Sequence, residues 1–552
     1  MRTTWKAGDD NKKVTSPVSL IVSAFATLAD VRGTLTPQLN RDEPDTTLIL
    51  IDLGKGQHRM GGSILAQTLE LEDGKVPDLD DAKDLVNLVS AINALRAKNH
   101  IMAYHDRSDG GLFACVCEMA FAGNTGVALN IDMLLVEGDG ITDSRMEVGD
   151  SKNWAGQVSV RRDELTLRAL FTEELGVVIQ VSTAIRNEVM QTLREHSLSK
   201  FSHFIGKTRP DNSQLTVGKG EVQVWRDTKA VFKAKLQDLH QVWDSVSWRI
   251  CQQRDNPAGA DAEHAAVGDL GNPGLHVNLT FEAGNTPEAP ALILSKPKVA
   301  ILREQGVNSH IEMAYAFTQA GFEAYDVHMT DLQTGRAKLA DFKGVVACGG
   351  FSYGDTLGAG IGWARSITFN PVLSDQFKTF FAEKDTFGLG VCNGCQMFAE
   401  LSSIIPGAVA WPRFTTNRSE RFEARLSQVE VLDSPSLFFK GMAGSRLPIA
   451  VAHGEGFANF DPQLGGRGHA ASAIAAMRFT DNHGQPADSY PANPNGSPGG
   501  LTAVTTPDGR FTAMMPHPER VFRNIQMSWT PLDAAAHSPW MQIWHNARRW
   551  VG

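Results

Sequence analysis

The stretch FGLGVCNGCQMFAELSSII, residues 387–405, decides how the second half of this chain folds. An apolar strand runs up to Val391, and an apolar helix follows through Met397, Phe398, Leu401 and Ile404. Between them lies Gly390-Val391-Cys392-Asn393-Gly394, the G-x-nucleophile-x-G pattern of a nucleophile elbow with cysteine at its centre. A tight strand-to-helix turn needs small residues on both sides. It places the Cys392 sulfur at a helix N-terminus, where the dipole stabilises a thiolate. Cys392 and Cys395 also spell C-x-x-C, so a redox pair, half of a zinc site and plain packing stay open beside catalysis on this motif alone. No second C-x-x-C exists; Cys115 and Cys117 form C-x-C inside an apolar helix and read as core.

Working outward, KVAILREQG (298–306) reads as a strand and MAYAFTQAG (313–321) as part of a helix. FEAYDVHM (322–329) and FKGVVACGG (342–350) read as two further strands. Strand, helix, strand at this spacing predicts a doubly wound α/β domain over 298–552.

A thiolate nucleophile needs a base, and the base needs an orienting group. Of sixteen histidines, one stands out in RFTAMMPHPERVF (510–522), where a strand ends in Pro516-His517-Pro518-Glu519. The prolines stiffen the turn. Glu519 is two residues from His517, within reach of the far ring nitrogen. An acyl-transfer site also needs an oxyanion hole. CGGFSYGD (348–355) follows a strand, and the N–H groups of Gly350 and Asn393 are the natural pair; a simple glycine turn is the other reading of Gly350.

The first stretch, residues 1–251, mixes strands and helices. LILIDLG (48–54), HIMAYHD (100–106) and GVVIQV (176–181) read as strands. DAKDLVNLVSAINALRAK (81–98) reads as an amphipathic helix with Leu85, Leu88, Val89, Ile92 and Leu95 on one face, and GLFACVCEMAFAG (111–123) as a second helix. Residues 137–164 are polar and aperiodic, and read as a surface insertion. Residues 252–297, holding Pro257, Pro273, Pro287, Pro290 and Pro297, read as a linker. DLGKGQHRMGGS (52–63) is glycine-rich but lacks the lysine spacing of a P-loop.

Composition narrows the function classes. A chain of 552 residues holds two to four domains at about 150 residues each. The formal net charge of −10 argues against a general nucleic-acid binder. No uncharged apolar run approaches the ~20 residues of a membrane helix, so no membrane span is expected. The polar N-terminus carries no signal-peptide core, and six cysteines are too few for a disulfide scaffold, so a cytoplasmic location is expected.

With GVCNGCQM, CGGFSYGD, HGEG (453–456) and MMPHPER in one order, residues 298–552 resemble a class I (triad) glutamine amidotransferase domain. LREQGVNSHIEMA (302–314), GGFSYGDTLGAG (349–360), NRSERFEAR (417–425) and YPANPNGSPGG (490–500) narrow the resemblance to the formylglycinamidine ribonucleotide (FGAM) synthase family. TSPVSLIVSAF (15–25), ADVRGTLTPQL (29–39) and AYHDRSDGGLFA (103–114) resemble the second half of the synthetase part of the long form, an α+β lobe of the aminoimidazole-ribonucleotide-synthetase-like superfamily. The resemblance implies that Cys392 attacks the glutamine side-chain amide, that His517 oriented by Glu519 moves the proton, and that a glutamyl thioester forms and is hydrolysed. It implies that Gln396 and the His453-Gly454-Glu455 loop line the glutamine pocket. Ammonia then serves the ATP-dependent conversion of formylglycinamide ribonucleotide (FGAR) to FGAM.

In AYHDRSDGG, Asp106 matches a family Mg²⁺ ligand and Ser108 a contact to ATP or ADP. On its residues alone, Asp106 next to Arg107 and Ser108 reads more readily as a salt-bridged turn than as a metal ligand. In the long enzymes this nucleotide site is viewed as structural. Long-form members carry an N-terminal domain and a first synthetase half ahead of the region matched here. The chain is therefore expected to be a C-terminal fragment or the companion of a separate synthetase subunit, with the FGAR and ATP sites mainly in the other part. Two further readings remain: a glutaminase serving a different synthetase, and a non-catalytic nucleotide-binding or redox assembly module.

Overall fold

The computed structural model describes residues 2–15, 22–28, 31, 33–71, 74–135, 154–209, 220–269, 271–284, 296–533 and 536–552. Parts of TSPVSLIVSAF and ADVRGTLTPQL, the 137–153 portion of the expected insertion, and Pro287 and Pro290 lie outside the described residues. The chain divides into two compact units. Among the described residues, no helix is long and apolar enough to cross a membrane.

The first unit spans Met1–Pro210 and Val222–Lys233. Its seven-stranded sheet runs in the order Ala103–Asp106, Gly176–Ser182, Thr46–Asp52, Ser202–Arg209, Gly126–Asn130, Glu221–Arg226, Lys229–Lys235. Thr46–Asp52 is buried at every position, as a central strand covered on both faces should be. The helices Ala82–Ala97 and Arg186–Glu195 cover one face through Leu88, Ala91, Leu95, Val189 and Leu193, packed on Ile49, Ile51, Val177, Ile179 and Val181.

Two expectations are corrected here. The buried stripe of Ala82–Ala97 is Leu88, Ala91 and Leu95, while Leu85 and Val89 are exposed. The small Ala91, not the larger flanking residues, lets the helix approach the sheet. The 137–164 stretch is not irregular throughout, because a helix Trp154–Phe171 begins inside it.

The second unit spans Asp211–Glu221 and Ala234–Gly552. Its nine-stranded sheet runs in the order Glu323–His328, Lys298–Arg303, Gly344–Ala347, Phe387–Val391, Phe511–Met514, Leu501–Thr505, Ile474–Phe479, Glu423–Val431, Arg446–His453. The first five strands are parallel, which is the expected doubly wound part. The remaining four extend it antiparallel. The helices His310–Gln319, Ile361–Thr368, Pro371–Ala382, Asn393–Glu400 and Gln542–Val551 contribute Phe317, Trp363, Phe377, Phe398 and Trp544 to one continuous core.

Residues 252–297 are not a bare linker. Pro257 sits at the first position of a helix, Pro257–Val267, where its missing N–H and fixed φ cost nothing. The Asn256 side chain caps that helix. Further on, Asn278 pairs with Arg446 through N–H to O bonds of 2.8 Å in both directions.

Candidate active site

The parallel register brings the two main motifs together. Val391 lies opposite Met514, and Cys392 N–H donates to Met514 O at 2.9 Å. Cys392 therefore leaves the top of one strand where His517 leaves the top of its neighbour. This is the carboxyl end of the parallel strands, where doubly wound sheets bind ligands.

Cys392 itself has φ 52° and ψ −110°, an unfavourable conformation for a residue with a Cβ, of a kind that costs ~1–3 kcal/mol. The helix Asn393–Glu400 starts at once. Gly394 is required there, since a Cβ would fall 2.0 Å from Ala347 O. The first helical backbone bond at this end is Gln396 N–H to Cys392 O at 3.0 Å, so the N–H of Asn393 belongs to the unpaired first turn beside the sulfur. The helix stops at Glu400, short of Ile404.

His517 and Glu519 are both buried, and His517 Nδ1 lies 2.7 Å from Glu519 Oε1. The His517 backbone N–H donates to Ala450 O at 2.8 Å, which fixes the residue against the strand Arg446–His453. Its other ring nitrogen, Nε2, is buried with no partner. A Cβ on Gly349 would fall 2.5 Å from His517 Cε1 and 3.2 Å from Cys392 Cβ, so the imidazole and the cysteine converge over this glycine.

Electrostatics divide the two cysteines of the motif. Burial alone would push the Cys392 thiol up, but the neighbouring His517 outweighs it and holds the thiol down at about 5. Burial would lower His517, yet the Glu519 carboxylate and then Cys392 raise it to about 9. Glu519 is held below the usual carboxylate range by His517 in spite of its burial. The group is a coupled thiolate–imidazolium–carboxylate chain. Cys395, one turn into the helix, is pushed well above an ordinary thiol by burial and is free of disulfide bonding.

A cavity of about 200 Å³ opens over Cys392 and His517, lined also by Gly350, Gln396, His453 and Glu455. Hollows of about 780 Å³ around Leu332 and Phe380, and about 700 Å³ around Leu432 and Asn546, are larger. Neither holds a nucleophile beside a base, so size does not locate the chemistry. In the small cavity, Gln396 Nε2 donates to Glu455 O at 2.7 Å, and Glu455 Oε2 accepts from Ala359 N–H at 2.9 Å. Gly350 has φ 135°, a conformation open to glycine.

Asp355 was not singled out by the sequence reading, although its acid between glycines in GGFSYGDTLGAG was a signal. It lines the cavity, and burial raises its carboxyl to about 6 against the pull of the hydrogen bond from Asn393 Nδ2 at 3.0 Å. Asn393 Oδ1 in turn accepts from Ser352 Oγ at 2.6 Å. Asn417 and Asn495, which brace the His453 loop from behind, carry no local signature of that task.

Among the described residues, the first unit shows no comparable assembly. Asp106 is exposed at the end of its strand, and its Oδ1 accepts from Tyr104 OH at 2.6 Å. Arg107 does not pair with it but turns inward to Asp52 and Glu174 O. Ser108 O accepts from Gly111 N–H at 2.9 Å as the chain enters the helix Gly111–Gly123. Among the described residues, no group of three His, Cys, Asp or Glu side chains could hold a metal ion.

Residues 296–551 match the CobB/CobQ-like glutamine amidotransferase domain, and residues 43–218 match the AIR synthase related protein C-terminal domain. Among solved structures, PurLQS from Thermotoga maritima aligns at 20% identity over 47% of this chain and 100% of that one, with a TM-score of 0.36. T. maritima PurL complexed with FGAR aligns at 15% identity over 38% of this chain and 30% of that one, with a TM-score of 0.27. The chain thus spans less than a third of that PurL. A GMP synthase component from Thermoplasma acidophilum aligns at 12% identity over 46% of this chain and 94% of that one, with a TM-score of 0.28.

Proposed function

Since an AIR synthase related domain is followed by a CobB/CobQ-like glutamine amidotransferase domain, we propose that the chain is FGAM-synthase-like, hydrolyses glutamine and supplies ammonia for the ATP-dependent conversion of FGAR to FGAM. The observation that carries this reading is the Cys392 elbow joined to the buried His517–Glu519 pair.

The Cys392 thiolate attacks the side-chain amide carbon of glutamine. The N–H groups of Gly350 and Asn393 receive the developing oxyanion. The imidazolium of His517 gives its Nε2 proton to the departing nitrogen, the C–N bond breaks, and ammonia leaves a glutamyl thioester. His517, now neutral, takes a proton from water as the hydroxyl adds to the thioester carbon. The C–S bond breaks, and glutamate, thiolate and imidazolium result. Glu519 fixes the proton on Nδ1 and stabilises the imidazolium. Gln396 and the His453-Gly454-Glu455 loop hold the substrate. The FGAR and ATP chemistry is assigned to synthetase portions outside the region matched here. No step is routed through Asp106.

A chloromethyl ketone analogue of glutamine tests this reading. It should alkylate Cys392, once per chain, and abolish ammonia release; free glutamine should protect. Modification elsewhere, or ammonia release that survives full labelling of Cys392, would overturn it.

A further inference from the structure

The motif YPANPNGSPGG (490–500) has no task in the scheme above, and the structure places its Asn495 against His453. Both side chains are fully buried or nearly so. His453 Nε2 lies 2.7 Å from Asn495 Oδ1. The orientation of the Asn495 amide is set by its other end, because Nδ2 donates to Gly456 O at 2.9 Å. Oδ1 is therefore the acceptor, and His453 must carry its proton on Nε2. The two groups pack closely enough that a Cβ on Gly456 would fall 2.5 Å from the His453 ring and 2.7 Å from Asn495 Nδ2.

The remaining ring nitrogen, Nδ1, is buried without a partner. With a single ring proton placed on Nε2, Nδ1 presents a lone pair. His453 lines the same small cavity as Cys392 and His517. The backbone is braced as well: Asn417 Nδ2 donates to His453 O at 2.8 Å, and Asn417 Oδ1 accepts from Gly456 N–H at 2.8 Å. A buried acceptor left unmet next to the nucleophile is costly unless a ligand completes it.

We propose that His453 is a second catalytic imidazole, whose bare Nδ1 accepts an N–H of the scissile carboxamide, and that Asn495 is the positioning residue that fixes its tautomer. The assignment rests on the glutaminase reading. The thiolate forms the C–S bond, and His517 Nε2 delivers the proton to the nitrogen as the C–N bond breaks. His453 gains and loses no proton. It holds the –NH₂ group so that the nitrogen lone pair faces His517, and it holds the ammonia just released.

The leaving group supplies the test, because glutamate γ-methyl ester lacks the N–H that Nδ1 would accept. Turnover of glutamine and of the ester is measured for the full chain and for its His453→Leu and Asn495→Leu variants. The ratio of amide to ester kcat/KM should fall at least about tenfold in His453→Leu and by a smaller factor in Asn495→Leu. The ratio is internal to the folded fraction, so partial unfolding does not move it. An unchanged ratio in both variants would overturn the proposal and leave His453 as wall. An unsubstituted chain that turns over the ester but not glutamine would overturn the proposal too. Failure to turn over either substrate would instead overturn the glutaminase reading, and this assignment with it.

Discussion

Cys392 and Asp106 each stand at the end of a strand that feeds a helix through a short turn, yet among the described residues only Cys392 has an acid and a base gathered beside it. Around Cys392, the neighbouring parallel strand delivers His517, the antiparallel part of the sheet delivers His453, and the CGGFSYGD loop closes the front. Burial then turns a pair of ordinary side chains into a strongly coupled one. Among the described residues, the strand beside Asp106 brings no acid or base to meet it, and its carboxylate accepts from the Tyr104 hydroxyl. A reactive residue becomes functional through what the sheet order places beside it. A motif at a strand end is half of that condition.

The sharpest way to break the contrast is at the nucleophile. Cys392→Ala should abolish glutamine hydrolysis, while Cys395→Ala, which removes only a packed thiol, should keep most of it. Equal loss in ammonia-release assays would mean that the elbow geometry does not choose between them. Next in size is the base. His517→Ala should cost several orders of magnitude in kcat, and adding Glu519→Ala should cost little more, because members of one unit lose activity non-additively. Multiplying losses would give Glu519 an independent role.

The pH dependence is a milder probe. The thiol is held low, so the nucleophile is present above about 5 and is lost as pH falls through that value. The imidazole is held high, so the proton donor is present below about 9 and is lost as pH rises through it. Glutamine hydrolysis should therefore form a plateau between these limits. Alkylation of Cys392 by iodoacetamide should follow the acid limb alone. In His517→Ala that limb should move upward, since the largest influence opposing burial is then gone; an unmoved limb would detach the thiolate from His517. The smallest effect belongs to the other region. Asp106→Asn should leave glutamine hydrolysis within about twofold and remove the rise in melting temperature that Mg²⁺-ATP gives the full-length or reconstituted protein. A Mg²⁺-ATP shift unchanged by this variant would make Asp106 a turn residue only.

How much was legible beforehand follows the same line. Cys392, His517 and Glu519 could be read because glycine and proline punctuate the chain on either side of them, and their chemistry is local to those turns. The parallel strands were legible as short apolar runs. The antiparallel extension from Glu423 to His453 was not, because its strands mix charged and apolar residues as partly solvated strands do. Asp355 and Asn495 act through partners far along the chain, and such residues look like turn formers until the partner is seen. The face of Ala82–Ala97 was misjudged by weighing side-chain size over closeness of approach, and Ala91 decided it.

The pairing of Asn278 with Arg446 bears on how this protein can be cut. The strand Arg446–His453 is the last of its sheet, and an open edge is an invitation to polymerise with another chain. Asn278 covers the start of that edge, Thr280 N–H donates to Ser445 Oγ at 3.0 Å, and Gln428 Nε2 donates to His276 O at 2.9 Å. A fragment begun at Lys298 would strip this cover and leave the edge sticky. One begun ahead of the helix Leu236–Arg254 would carry its own guard, and is the piece expected to stay monodisperse at high concentration.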